Sequence, residues 1–305
     1  MKTINLGLSG LEVPAVAVGL MRINTVSRTE ANAFIQESLE LGANFFDNAD
    51  VYGDGACEEI FSSCLSGVKR TEIFIQDKVG IRKGKAFDFS KAHILDATEQ
   101  CLARLHTDYL DVLLLHRPDI LVEPEEVAEA FGLLQAQGKV RYFGVSNQNP
   151  MQMALLKKFV RQPLVANQLQ FSIAHAGMLS EGLHVNMNDD PSVNRSGSVL
   201  DYCRLNDITI QAWSPFQYGF FSGVFLDNPK LFPELNRAVD KIAQKYHTTN
   251  TAVAIAWISR HPAKIQSVTG TMNPKRLAEC VKGAEINLTR DEWYEIYLAA
   301  GNILP

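Results

Sequence analysis

Eight times along the chain, a short apolar run gives way to a stretch with helical spacing. This alternation constrains the fold most, because strands joined through helices run parallel and a parallel sheet must be covered by those helices. The strand-like runs are 14–19, 44–47, 72–78, 109–116, 140–146, 163–168, 208–213 and 265–269. Between the first two, Ser27 and Glu30 have capping-box spacing. Ala31, Phe34, Ile35, Ser38 and Leu39 then share a helix face, and Gly42 ends it. Further helices are predicted over 57–66, after Ser90, and over 124–137, 150–159, 198–205, 233–246 and 250–260. Another opens with Asn273 as N-cap and Pro274 at the first turn, and 289–301 reads as one extra C-terminal helix. Eight such units in 305 residues predict an α/β chain forming one closed (β/α)8 TIM barrel domain over 1–305. An open doubly wound sheet fits less well, because "AVGLMRI" follows the first strand where a Gly-x-Gly-x-x-Gly turn would be expected.

Composition narrows the partners. A net charge of −5, with no Lys/Arg run, argues against nucleic acid. No apolar stretch is long enough to span a membrane, and "MKTINLGLSG" lacks the apolar core of a signal peptide. The five cysteines include no Cys-x-x-Cys, and the seven histidines lack ligand spacing. The expectation is a reduced, cytoplasmic protein with no metal. One segment breaks the rhythm: 172–197 is polar and aperiodic, as expected of a long loop over a barrel mouth.

In this fold, chemistry sits where the strands end. The second strand runs into Asp47, with Tyr52 just beyond, the third into Lys78 and the fourth into His116. Singly, each has an ordinary structural reading: a cap, a half-buried tyrosine, a solvated strand end, a core histidine. Together they compose a proton donor. A phenol titrates near pH 10, and an adjacent ammonium lowers that value. A carboxylate compensates the ammonium, and a neutral imidazole orients a carbonyl oxygen. A hydride is missing, and a nicotinamide cofactor would bring it.

With these residues in place, the chain resembles the aldo-keto reductase superfamily over nearly its whole length. The resemblance rests on "FDNADVYG", "QDKVG", "LLLHRPD", "FGVSN", "ANQLQF", "AWSPF" and "VTGTMNPKRLAEC", in order. The "LHRPD" form is similar to a bacterial branch of oxidoreductases, and "INLGLSGLEVPAVAVG" resembles the hairpin that closes the barrel bottom in this family. The resemblance implies NADP(H)-dependent reduction of aldehydes and ketones, with Tyr52 as general acid, Lys78 and Asp47 tuning it, and His116 orienting the substrate. It also implies that Ser146, Asn147 and Gln168 hold the nicotinamide carboxamide and that Trp213 stacks on the ring. Ser214, Pro215, Phe216, Gly219 and Phe221 would line the pyrophosphate, and Thr271, Met272 and Arg276 would take the 2′-phosphate. Gly19, Met21, Gly270 and Glu279 complete the implied cofactor set. The 2′-phosphate residues favour NADP(H) over NAD(H), although Gly270 stands where many members carry lysine and Cys280 where an adenine-contacting Asn is common.

The substrate pocket is expected to involve Met21, Val51, Trp213 and the 172–197 segment. Arg117 has two readings, recognition of an anionic substrate and a salt bridge to Asp119, and its spacing favours the bridge. Two rival functions remain at this level: a nucleotide-binding regulatory module without significant turnover, and Schiff-base chemistry at Lys78. Partners are otherwise limited to a small carbonyl substrate, with the chain a monomer or weak homo-oligomer.

Overall fold

The computed structural model describes residues 1–305. Eight strands close into a parallel barrel. In chain order they are Val16–Gly19, Phe45–Asp47, Phe74–Val79, Leu110–Leu115, Val140–Ser146, Leu164–Gln170, Thr209–Trp213 and Gln266–Thr269. The eighth returns beside the first, pairing Ser267 with Val16 and Thr269 with Val18. One cluster of 76 buried residues fills the barrel and the strand–helix interface. Leu110–Leu115 is buried at every position, as expected for a strand covered on both faces.

Local signals explain the helices. Ser27 and Glu30 make the reciprocal capping box that opens Arg28–Glu40, and Ala31, Phe34, Ile35 and Ser38 face the core. Gly42 follows with φ +75°, a conformation that favours glycine. Asn273 caps Pro274–Glu285 by accepting from the Arg276 amide. The extra C-terminal helix, Arg290–Ala299, is present, and Trp293 stacks on Trp257 at 4.8 Å. The helix predicted over 57–66 is shorter, Ala56–Ser63.

At the other end of the chain, Thr3–Asn5 and Glu12–Pro14 form an antiparallel hairpin. Its Gly7 amide donates to Thr209 Oγ1 at 2.8 Å, where the seventh strand begins. A Cβ at Gly7 would lie 2.5 Å from the Val165 carbonyl oxygen, so the turn is pressed against the strand starts. The barrel bottom is thereby closed, leaving the C-terminal rim as the open end.

The 172–197 segment departs from the expected loop. It holds a helix, Gly177–Leu183, and a short turn, Asp190–Ser192. Glu181 accepts from the amides of Arg195, Ser196 and Ser198, while His184 bonds Asp189 at 2.7 Å and the Ile303 carbonyl at 3.0 Å. Ser180 meets the Tyr297 hydroxyl at 2.8 Å. The segment therefore packs on the C-terminal helix and tail, and none of its residues lines the large cavity at the rim. Its polar tethers leave no apolar period to read. No helix is long and apolar enough to cross a membrane.

Candidate active site

The strand ends surround a cavity of about 700 Å³. Asp47 and Lys78 come from neighbouring strands, in which Asp47 is in register with Gln76. Side chains at 76 and 78 share a face of their strand, because strand side chains alternate. Lys78 is fully buried, and its Nζ donates to Asp47 Oδ1 at 2.8 Å and to the Asn48 carbonyl. The same ammonium lies 5.0 Å from the centre of the Tyr52 ring. The His116 ring meets Tyr52 edge-on, with centroids 5.9 Å apart. Four side chains distant in sequence thus form one contiguous group at the cavity floor.

Electrostatics bias the protonation of Lys78, His116 and Tyr52. Burial alone would lower the Lys78 pKa, but Asp47 and Tyr52 outweigh it and hold the ammonium above its usual value. An amine held in its protonated form is a poor Schiff-base nucleophile, which argues against that alternative. Burial, then the charges of Lys78 and Arg117, holds His116 well below its usual value, so the ring is neutral. For Tyr52, burial raises the pKa and Lys78 lowers it by less, leaving a net increase. This corrects the expectation of a net decrease: the ammonium acts as anticipated, but desolvation of the phenolate is the larger effect. The phenol therefore rests protonated.

Beneath the quartet lies a network the sequence reading missed. Gln76 and Gln168 donate to Asp47 Oδ1 at 2.6 and 3.0 Å. Gln211 bonds Gln76 and Gln266, and Gln266 donates to the Pro14 carbonyl at 2.7 Å. Asp47 is thus held by three donors, through a ladder that crosses the barrel. The signal for it was a glutamine inside each of three otherwise apolar strand runs. A second missed group lies outside the third strand. Glu58, Asp77 and Cys101 are buried with ligand atoms within 4.8 Å of one another, so the fold gathers a potential cation-binding set from residues without ligand spacing along the chain. Arg104 pairs with Glu58 at 2.7 Å, and Asp50 is close enough for the Glu58 charge to raise its pKa.

Along the cavity wall, Trp213 Nε1 donates to Asn147 Oδ1 at 3.1 Å, and Asn147 Nδ2 donates to Ser146 Oγ at 2.7 Å. These bonds fix the indole, which lines the cavity. Asn147 and Ser214 both adopt positive φ, 57° and 52°, uncommon for residues with a Cβ. At the far end, a Cβ at Gly270 would lie 2.8 Å from Arg22 Nη1, the tip of a flexible side chain, and Arg22 itself donates to the Gly270 carbonyl at 3.3 Å. Arg276 stands nearby at the start of Pro274–Glu285.

This lining suits a nicotinamide dinucleotide: a pinned aromatic face and amide and hydroxyl groups at one end, two guanidiniums and a helix N-terminus at the other. Every position proposed from sequence lines the cavity except Lys78, Val51, Gly219, Glu279 and the 172–197 segment. Lys78 lies beneath the surface, against Tyr52. Val51 precedes Tyr52 in a tight turn, and consecutive side chains in a helical turn diverge. The space beside Gly219 is taken by Ser222 Oγ, and Phe220, not anticipated, lines the cavity instead. Glu279 lies a helical turn past Arg276, beyond the cavity wall. Cys280 is buried, with burial pushing its thiol up to about 12, and its Sγ faces Thr269 Oγ1 at 3.9 Å.

The model of the Aldo/keto reductase family matches residues 15–299. The Bacillus subtilis protein named uncharacterized oxidoreductase YcsN is 32% identical over 303 residues, 95% of each chain. The 6-dehydroglucose reductase of Agrobacterium fabrum is 32% identical over 305 residues, also 95% of each. Among solved structures, the thermostable aldo-keto reductase Tm1743, in complex with the inhibitor epalrestat, superposes with a TM-score of 0.79 at 25% identity, covering 99% of each chain. The chain belongs to the aldo/keto reductase family, among its bacterial oxidoreductases.

Proposed function

We propose that this oxidoreductase reduces aldehydes and ketones to alcohols with NADPH, and that Tyr52 is the proton donor. The observation that carries the reading is the Lys78 ammonium held between Asp47, at 2.8 Å, and the Tyr52 ring, at 5.0 Å, on the floor of the cavity. Bound there, the dihydronicotinamide would supply the hydride for the carbonyl carbon. The protein's own part is the proton. Tyr52 holds it on the phenol at neutral pH, because burial keeps the pKa raised. Lys78 stabilises the phenolate left when that proton reaches the carbonyl oxygen, and Asp47 keeps the ammonium in place. Neutral His116 lines the cavity and would donate to the same oxygen through Nε2, while its Nδ1 is buried without a protein partner.

On the cofactor side, Trp213 would stack on the ring while Ser146, Asn147 and Gln168 would meet the carboxamide. Thr271, Met272 and Arg276 would take the 2′-phosphate, and Arg22 adds a second guanidinium at that end. The test is a titration of tryptophan emission with NADPH and NADH, in wild type and Arg276→Ala. The proposal expects quenching by NADPH at far lower concentration than by NADH, with the difference largely lost in the variant. Absence of quenching by either nucleotide would remove the hydride source and the reading with it.

A further inference from the structure

The cavity contains a cation that the proposed reduction does not use. Arg117 follows His116 and lines the cavity at its reaction end. Its guanidinium carbon lies 5.8 Å from the Trp213 ring and 5.6 Å from the Phe220 ring, within cation–π range of both. The salt bridge to Asp119 favoured by spacing is not formed. Asp119 is committed to backbone instead, its Oδ2 accepting from the Phe89 amide at 2.9 Å and its Oδ1 from the Leu121 amide at 2.8 Å. Of the carboxylates that line the cavity, Asp47 is taken by Lys78 at 2.8 Å and Asp227 accepts from Asn250 at 3.2 Å. Arg22 and Arg276 belong to the opposite end, beside Gly270 and Thr271. Arg117 is therefore a half-buried, aromatic-pinned guanidinium with no anionic partner, next to the residues placed around the carbonyl.

A positive charge held partly out of water is unfavourable without a counter-charge, and a guanidinium offers a planar fork matched to oxyanions. We infer that Arg117 selects aldehydes and ketones carrying an anionic group, a carboxylate or a phosphate, over neutral ones. The inference rests on the reductase reading and narrows its substrate class.

The test uses matched pairs with NADPH: succinic semialdehyde against its methyl ester, and glyceraldehyde 3-phosphate against glyceraldehyde. The wild type is expected to favour the anionic member of at least one pair by roughly 10- to 100-fold in kcat/KM, mainly through KM, the range for a charge-assisted hydrogen bond. Preference in the first pair alone identifies a carboxylate, in the second alone a phosphate, and in both a general oxyanion site. Arg117→Met should bring the ratio toward one, and Arg117→Lys should restore part of it, while NADPH quenching reports that both variants are folded. Equal kcat/KM within both pairs, or a ratio that Arg117→Met leaves intact, overturns the inference and leaves the reductase reading standing. Failure of the wild type to reduce any of the four overturns the inference, and failure to reduce butanal as well overturns the reductase reading with it.

Discussion

Asp50 offers a quantitative test of the electrostatics behind the second and third strands. One of its carboxylate oxygens is buried without a hydrogen-bond partner. Burial first, then the charge of Glu58, raises its pKa from 3.8 to about 7. The folded state therefore holds this proton more tightly than the unfolded chain does. Stability from this group is complete below pH 4 and is lost as pH rises through 7. The shift corresponds to at most about 4 kcal/mol, at about 1.4 kcal/mol per pKa unit. Asp50→Asn keeps the shape and removes the charge, and the backbone bond from the Asp50 amide to the Lys78 carbonyl at 3.1 Å does not depend on the side chain. Urea unfolding of both proteins, followed by circular dichroism at several pH values between 4 and 8, isolates the difference. The variant should gain on the wild type steadily across that window and be the more stable protein at pH 8. A stability difference that does not change with pH would refute the reasoning, because it would mean that the carboxylate titrates normally in the folded state.

Further outcomes follow from the quartet. Lys78→Met should reduce turnover by about 10²-fold or more and leave NADPH quenching in place. It should also cost about 3–5 kcal/mol in urea unfolding, since Asp47 becomes a buried charge without its ion partner. Adding Asp47→Asn should recover part of that stability and none of the turnover. Because His116 is held well below its usual pKa, its neutral form persists on the acid side of the ordinary histidine titration. The kcat/KM profile should therefore show no step near pH 6.5, and a loss centred there would place a charged imidazole in the working enzyme.

The parts of this molecule that were legible in its sequence are those that repeat or end. Apolar runs alternating with capped helices disclosed the barrel, and Asp47, Lys78 and His116 stood out because each terminates such a run. The barrel rule then placed them on one rim, with Tyr52 returned by a short turn. What escaped reading depends on contacts across the closed structure. The glutamines at 76, 211 and 266 were visible as polar residues in apolar strands, but their bonds to one another exist only once the strands close on themselves. Glu58, Asp77 and Cys101 meet because two helices pack on the outside of the third strand, a relation that spacing along the chain does not encode. Val51 and Gly219 were misplaced because turn geometry, not composition, decides which neighbour faces a cavity. The 172–197 segment looked structureless because Glu181 and His184 hold it by polar bonds without periodicity. Arg117 and Asp119 had suitable charges and spacing, yet backbone amides satisfy the carboxylate and leave the arginine for the cavity.

The central claim is that Tyr52 delivers a proton in a nicotinamide-dependent reduction. The most direct measurement is NADPH oxidation with butanal as acceptor, in wild type and Tyr52→Phe, alongside fluorescence titration of NADPH with each. The account predicts that the phenylalanine variant binds NADPH with nearly unchanged affinity while its turnover falls by roughly 10²- to 10⁴-fold, the usual contribution of a positioned general acid. A variant that binds NADPH and oxidises it at the wild-type rate would contradict the account.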